Sequence, residues 1–297
     1  LYRTQIIGED ENNEANQKLQ DEIRSCIQVQ TMLREWVGLH PYQKWRGAHW
    51  VLSLLMELGY PKCDESLLPL REAEVNWLLD EDRLKSVPLI DGRYRCCASQ
   101  ERNAIYSLTK LGLADERVDR LVKLLLGWQW PDGGWNCDKH SEAHISSFNE
   151  SLIPLRGVIA FYNIHPESEV KNQFDRTCEV FLQRHLFRRL TNQRVIRSSF
   201  TKLSYPHYWH YDTLFALKVM SEVGKLSDPR CNEALDLLRN KQLKSGGFPT
   251  EMKYYRITEK METGASGIDW GPVSKIKRNE FVNVQAWVIL KQAGRFN

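Results

Sequence analysis

Five apolar segments of helical periodicity, each closed by a residue suited to ending a helix, constrain this chain more than any other feature. The closures are Leu58-Gly59, Leu111-Gly112, Asn163, Val223-Gly224 and Ala293-Gly294, and successive stops lie 53, 51, 61 and 70 residues apart. Glycine just past a helix adopts the left-handed backbone that lets loop N–H groups reach the last carbonyls, and asparagine is the next-best residue for the task. The segments so closed run Ala48–Leu58, Gln100–Leu111, Phe148–Asn163, Tyr208–Val223 and Phe281–Ala293. None of them can cover its apolar surface alone, so the repeat predicts stacked helical hairpins.

Partner helices carry their own start signals. Asp115 precedes Val118, Leu121, Val122 and Leu125, an amphipathic stripe of period near 3.6. Asp228-Pro229 places an N-cap before a proline in the first turn. No alternating segment longer than about five residues occurs, so strand signals are almost absent and the fold class is all-α. The N-terminal stretch from Glu11 to about Val37 reads as one polar amphipathic helix. It belongs to a helical extension over residues 1–44 that packs outside a single domain of hairpins over 45–297.

The turns between partner and apolar helices are the sharpest motif. Gly92-Arg93-Tyr94-Arg95-Cys96, Gly133-Gly134-Trp135-Asn136-Cys137 and Gly246-Gly247-Phe248-Pro249-Thr250 each set an aromatic two residues after a glycine. Gln129 and Gln242 precede the second and third by four residues. Glycine permits the tight reversal and the aromatic folds back to plug the hairpin. These residues resemble the QW motif of the squalene cyclase and prenyltransferase superfamily, including the Asp-Gly-Gly-Phe turns of prenyltransferase β subunits. The resemblance covers most of residues 45 to 295 as a repeat, and the turns alone as a tight motif.

That resemblance implies an α/α toroid, with the apolar helices forming an inner ring around a cavity and their N-terminal ends gathered at one mouth. It implies a terpene-cyclase-like enzyme acting on a hydrophobic polyene or prenyl diphosphate, without a cofactor. Residues at the inner-helix starts then become the site. Asp212, assisted by His210 and Glu150, is the expected catalytic group. Trp50, Arg102, Asn103, Tyr106, Phe148, Trp209, Tyr211, Glu280 and Trp287 are expected around the substrate. Asp212-Thr213 matches the end of the family's Asp-x-Asp-Asp-Thr motif, whereas Tyr211 stands where that motif carries its proton donor. Independently of any family, Asp212 sits where a helix cap would, and Ser147-x-x-Glu150 has the form of a capping box.

Cys137, Asp138, His140 and His144 follow the best QW turn, and Cys96-Cys97 occupy the matching place one repeat earlier. Neighbouring turns of a toroid lie close together. The Cys-x2-His-x3-His spacing nevertheless fits no strong zinc signature, and no metal is assigned.

Lys plus Arg exceed Asp plus Glu by 41 − 38 = +3, which predicts no nucleic-acid partner, and the basic stretch Arg184 to Arg197 reads as a solvated surface. No run of eighteen apolar residues is present, which excludes a transmembrane span and leaves only peripheral membrane contact. The chain opens Leu1-Tyr2-Arg3 with no signal-peptide pattern and no initiating Met, as a trimmed chain would. Seven cysteines without a Cys-x-x-Cys pair predict free thiols in the cytoplasm. Two other functions fit the same residues. A carbohydrate-processing α/α barrel would use Glu150 and Asp212 as paired carboxylates. A helical-repeat scaffold would use its concave face to bind a protein or peptide.

Overall fold

A computed structural model describes residues 14–166, 168–258, 260, 262 and 264–296. The described residues are mostly helical, and no helix among them is long and apolar enough to cross a membrane. The chain divides into two compact units, one built on residues 18–180 and 258–267, the other on 14–17, 181–257 and 268–296.

The expected N-terminal helix is two helices, α1 (Glu14–Ser25) and α2 (Ile27–Glu35), broken where Cys26 turns extended at ψ 145°. Residues 11–13 of that expectation lie outside the described residues. In the first unit α2 packs on α3 (Ala48–Leu58), burying Val29 and Met32. Then follow α4 (Leu68–Leu78), the short α5 (Glu81–Lys85), α6 (Ser99–Lys110), α7 (Glu116–Gly127), α8 (Phe148–Tyr162) and α9 (Ser168–Leu182), the last of which runs on into the second unit. The apolar helices α3, α6 and α8 lie side by side with α6 in the middle, while α4 packs on α3 and α6, and α7 on α6. These contacts are the packed helical hairpins that the repeat predicts. Burial follows this packing: α8 is covered on every side from Glu150 to Val158, whereas α7 buries only Val118, Leu121, Val122 and Leu125.

The apolar helices α3, α6 and α8 point the same way. His49, at the start of α3, meets Asn103 near the start of α6, with Nε2···Nδ2 at 3.5 Å. Ser99, the first residue of α6, donates its backbone N–H to Glu150 in the first turn of α8 at 3.1 Å. Their N-terminal ends therefore gather at one end of the unit.

The second unit repeats the scheme with α10 (Thr213–Glu222), α11 (Asn232–Arg239) and α12 (Glu280–Gln292), in which α10 packs on α12 and α11 covers both. Helix α10 begins five residues later than the apolar segment suggests, because Asp212 caps it. Trp270, in the loop from Gly264 to Gly271, is buried edge-on to Tyr205 and Phe281 at 5.7 and 5.4 Å.

Gly59, Gly112, Gly224 and Gly294 all take positive φ between 67 and 74°, as the helix stops require. Asn163 does not; it closes α8 in right-handed geometry at φ −65°. The Gly92 bend also differs from expectation. Asp91 and Gly92, at φ 50 and 68°, form the tip of a small antiparallel hairpin joining β1 (Leu89–Ile90) to β2 (Arg93–Tyr94). Two consecutive left-handed residues are the primed turn that Asp-Gly favours, and it outweighed the resemblance to a QW bend.

Candidate functional site

The Gly133 turn is built as its sequence predicts. Gln129 Nε2 donates to the Gly133 carbonyl at 2.9 Å and to Gln173 O and Thr177 Oγ1 at 3.0 Å each, tying the turn to α9. The Trp135 ring is buried, its Nε1 donates to Leu125 O at 3.1 Å, and its backbone N–H bonds Ser151 Oγ at 3.0 Å. From this anchored residue the chain leads outward, two residues on, to Cys137.

Cys137 meets two groups from elsewhere in the first unit. Its Sγ lies 3.9 Å from Glu150 Oε1. One thiol sulfur each from Cys97 and Cys137 and one carboxylate oxygen of Glu150 all lie within 4.8 Å of one another. Cys97 stands two residues before α6, Cys137 in the loop after the turn, and Glu150 in the first turn of α8. Cys97 is exposed, Cys137 half-buried and Glu150 buried, so the cluster opens from the interior toward solvent.

The electrostatics follow from this packing. Burial raises the Glu150 carboxyl above the usual range, and the N–H and hydroxyl of Ser99 pull it part of the way back. The Cys97 thiol donates to the Cys137 sulfur. That bond lowers Cys137 and raises Cys97, which desolvation and the neighbouring Glu150 raise further. Tyr42 sits at the same place: burial pushes its hydroxyl up to about 12, while a bond with Gln100 opposes the shift. Its ring stacks on Trp77 at 5.3 Å and tilts against Trp50 and His49 at 5.2 and 5.4 Å. Two thiols, a carboxyl group and a phenol thus share one edge of an aromatic wall.

Glu150 does not act as the reciprocal half of a capping box. Ser147 Oγ accepts the Glu150 N–H at 3.4 Å, but the Ser147 N–H is already bonded to Trp135 O at 2.8 Å. The carboxylate turns to Ser99 and Cys137 instead. Pro154, four residues on, lacks the N–H that would normally bond the Glu150 carbonyl.

The other expected site residues of this unit surround the cluster in different roles. Trp50 is buried against Trp45, His49 and Tyr42. Asn103 contacts His49, whose Nδ1 bonds the buried Glu74 at 2.8 Å. Arg102 is fully buried with its guanidinium 3.7 Å above the Trp135 ring, a cation–π contact beneath the turn. Tyr106 takes the Arg156 guanidinium on its face at 4.0 Å, and Phe148 begins α8 as a buried residue. Asp138 and His140 pair with each other at the surface at 2.6 Å, and His144 is exposed; neither histidine joins the thiols.

Asp212, His210, Trp209, Tyr211, Glu280 and Trp287 belong to the second unit. Asp212 is fully buried and acts as a cap. One oxygen accepts from Phe215 N at 2.8 Å and lies 3.2 Å from His207 Nε2; the other takes Ser204 N at 2.8 Å and Ser204 Oγ at 2.5 Å. Both oxygens are thus taken up in holding the start of the helix and the Ser204 loop. His210 stacks between Trp209 and Tyr254 at 4.3 and 3.4 Å, and Tyr211 is buried with its hydroxyl donating to Leu186 O. Glu280 is exposed and paired with Arg278, while Trp287 packs edge-on against Phe248 and Phe296.

Sequence reading passed over Tyr42, which it placed in the N-terminal extension, and Gln100. It noticed Cys97 and Cys137 but grouped Cys137 with histidines that point elsewhere. The available signal was the shared Gly-x-aromatic-x-Cys offset of the two turns. No protein-family model, no curated protein and no solved structure matches the chain.

Proposed function

We propose that this protein is an isoprenoid-handling enzyme of the terpene-cyclase type, an α/α toroid acting on a hydrophobic polyene or prenyl substrate. Its reactive centre is Glu150 with Cys97 and Cys137, rather than Asp212. The observation that carries this reading is the convergence of the three groups at the gathered N-terminal ends of α6 and α8. Glu150 is the acid: burial shifts its carboxyl toward the protonated form, the direction that protonation of an alkene demands. Tyr42, Trp50 and Trp77 supply ring faces able to stabilise a developing cation. The helix ends add positive dipole ends suited to an anionic group such as a diphosphate. Free thiols at this position suit a reducing compartment such as the cytoplasm.

The carbohydrate reading needs Asp212 as the second carboxylate, and the four contacts on its oxygens oppose that role. The test is incubation with prenyl diphosphates and squalene-type polyenes, with products read by mass spectrometry. Wild type forms product, Asp212→Asn retains activity per folded molecule, and Glu150→Gln loses about 100-fold or more, as removal of a general acid does. Inertness of the wild type toward every polyene sinks the substrate class. Equal product from Glu150→Gln removes Glu150 from the chemistry.

A further inference from the structure

We propose that Cys97, Cys137 and Glu150 form a zinc site with three protein ligands and an open fourth position. The inference concerns the same side chains as the proposed activity, but a zinc-bound Glu150 is a carboxylate with no proton to donate, so metal occupancy and the acid role are alternative states of one cluster; the inference stands on ligand geometry and its test reads metal, not turnover.

The donor set is selective. Two thiolates and one carboxylate favour a borderline-soft cation over magnesium or calcium, which take oxygen ligands throughout. The spacing fits as well. Tetrahedral zinc, with Zn–S of about 2.3 Å and Zn–O of about 2.0–2.2 Å, sets neighbouring ligand atoms roughly 3.5–3.8 Å apart. Cys137 Sγ and Glu150 Oε1 are 3.9 Å apart, and every pair lies within 4.8 Å. Side-chain movements of about 1 Å or less complete the geometry.

The surroundings prepare the site. Ser99 N–H holds Glu150 Oε2 at 3.1 Å and so aims Oε1 at the sulfurs, the outer-shell restraint that orients a metal-ligating carboxylate. Trp135 N–H on Ser151 Oγ fixes the turn from which Cys137 projects. Glu150 is only 6% exposed and Cys97 is open to solvent, so the ion has both a buried anchor and an entry path. Binding releases the ligands' protons, since a metal takes thiolate and carboxylate forms only. Three protein ligands leave one position open to water or a further ligand.

The test loads the purified full chain with zinc under reducing conditions, dialyses it against metal-free buffer and measures zinc by atomic emission. A parallel sample takes cobalt for near-ultraviolet and visible spectra. One zinc per chain is expected, with a sulfur-to-cobalt charge-transfer band and the intense visible bands of tetrahedral cobalt. Cys97→Ser and Cys137→Ser should each weaken binding more than about 100-fold, beyond the 10–100-fold typical of lost outer-shell partners, while Ser99→Ala, which keeps the N–H on Glu150 and loses only the hydroxyl, should cost no more than about 10-fold. Cys63→Ser, at an exposed cysteine outside the cluster, should change nothing. The cobalt spectrum of the wild type keeps the test decisive if a variant misfolds. Zinc well below one per chain, a cobalt spectrum without the sulfur band, or unchanged stoichiometry in the Cys97→Ser/Cys137→Ser double variant overturns the site. So does a Cys97–Cys137 disulfide that forms in place of metal uptake.

Discussion

Sγ of Cys137 lies 3.9 Å from Oε1 of Glu150, which sets a thiol from an irregular loop against the first turn of a buried helix. The contact depends on both ends being fixed. Trp135 pins the loop from beneath, and Ser99 turns the carboxylate outward from α6. Neither residue is in the cluster, yet each determines where one of its members points.

Replacing Glu150 should change how stability depends on pH. Burial raises its folded-state pKa above the unfolded value of about 4.3. Between the two values the folded protein holds a proton that the unfolded chain has lost, so stability falls as pH rises through that window. Below about pH 4.3 the group makes no difference, and above the folded-state value its penalty is complete. In urea titrations with chelator present, Glu150→Gln should gain on wild type steadily from pH 4 upward. Parallel curves would show that the carboxyl is not held in its neutral form.

Asp212 should prove structural. Asp212→Ala removes an N-cap and strands the buried donors of Ser204 and Phe215, a loss of about 2–4 kcal/mol. Asp212→Asn keeps a capping oxygen and should cost less. Equilibrium unfolding of both variants measures the difference; a loss under about 0.5 kcal/mol for the alanine variant contradicts the capping role.

The Gly133-Gly134 turn leaves no room for a methyl group at its second glycine. A Cβ on Gly134 would lie 2.5 Å from Ser151 Oγ and 2.6 Å from Ser146 Cβ. Gly134→Ala should therefore destabilise by about 1–3 kcal/mol, as overpacking does, and displace Cys137. Zinc affinity and thermal stability should fall together. A variant that loses stability but keeps wild-type affinity would uncouple the turn from the cluster.

Much of this architecture was legible from residue pattern. Gly59, Gly112, Gly224 and Gly294 end their helices because left-handed backbone leaves little alternative to glycine, and Asp115 caps α7 for equally local reasons. Such signals lie within a few residues of the feature they specify. The cluster does not: Cys97 and Glu150 are 53 positions apart, and they meet only because α6 and α8 run side by side in the same direction. Tyr42 was hidden for the same reason, since its partners Trp77 and Gln100 lie far along the chain. Asp91-Gly92 was misread although its signal was local, because the following aromatic suggested a QW bend where the dipeptide specified a hairpin.

The outer helices α4 and α7 are joined by a forked ion pair, Arg117 Nη1 and Nη2 on the two Glu72 oxygens at 2.8 and 2.7 Å. Hydrogen bonds from Arg117 hold the Glu72 carboxyl down at about 2. Its folded-state pKa is depressed, so its contribution is complete above the unfolded value of about 4.3 and is lost as pH falls toward 2. Solvent screens this half-open pair, and Glu72→Gln should cost no more than about 1 kcal/mol at pH 7. Acid unfolding followed by circular dichroism should show that difference vanishing near the bottom of the range. A difference that persists unchanged into acid would assign the loss to packing.

The central claim is that the sulfurs of Cys97 and Cys137 stand together in the folded protein. Titration with a trivalent organoarsenical, which bridges two thiols only where they lie close, measures this directly. Metal-free wild type should bind one equivalent tightly and reversibly, and both Cys97→Ser and Cys137→Ser should abolish that binding. Tight binding that survives in either variant, or none in the wild type, would contradict the account.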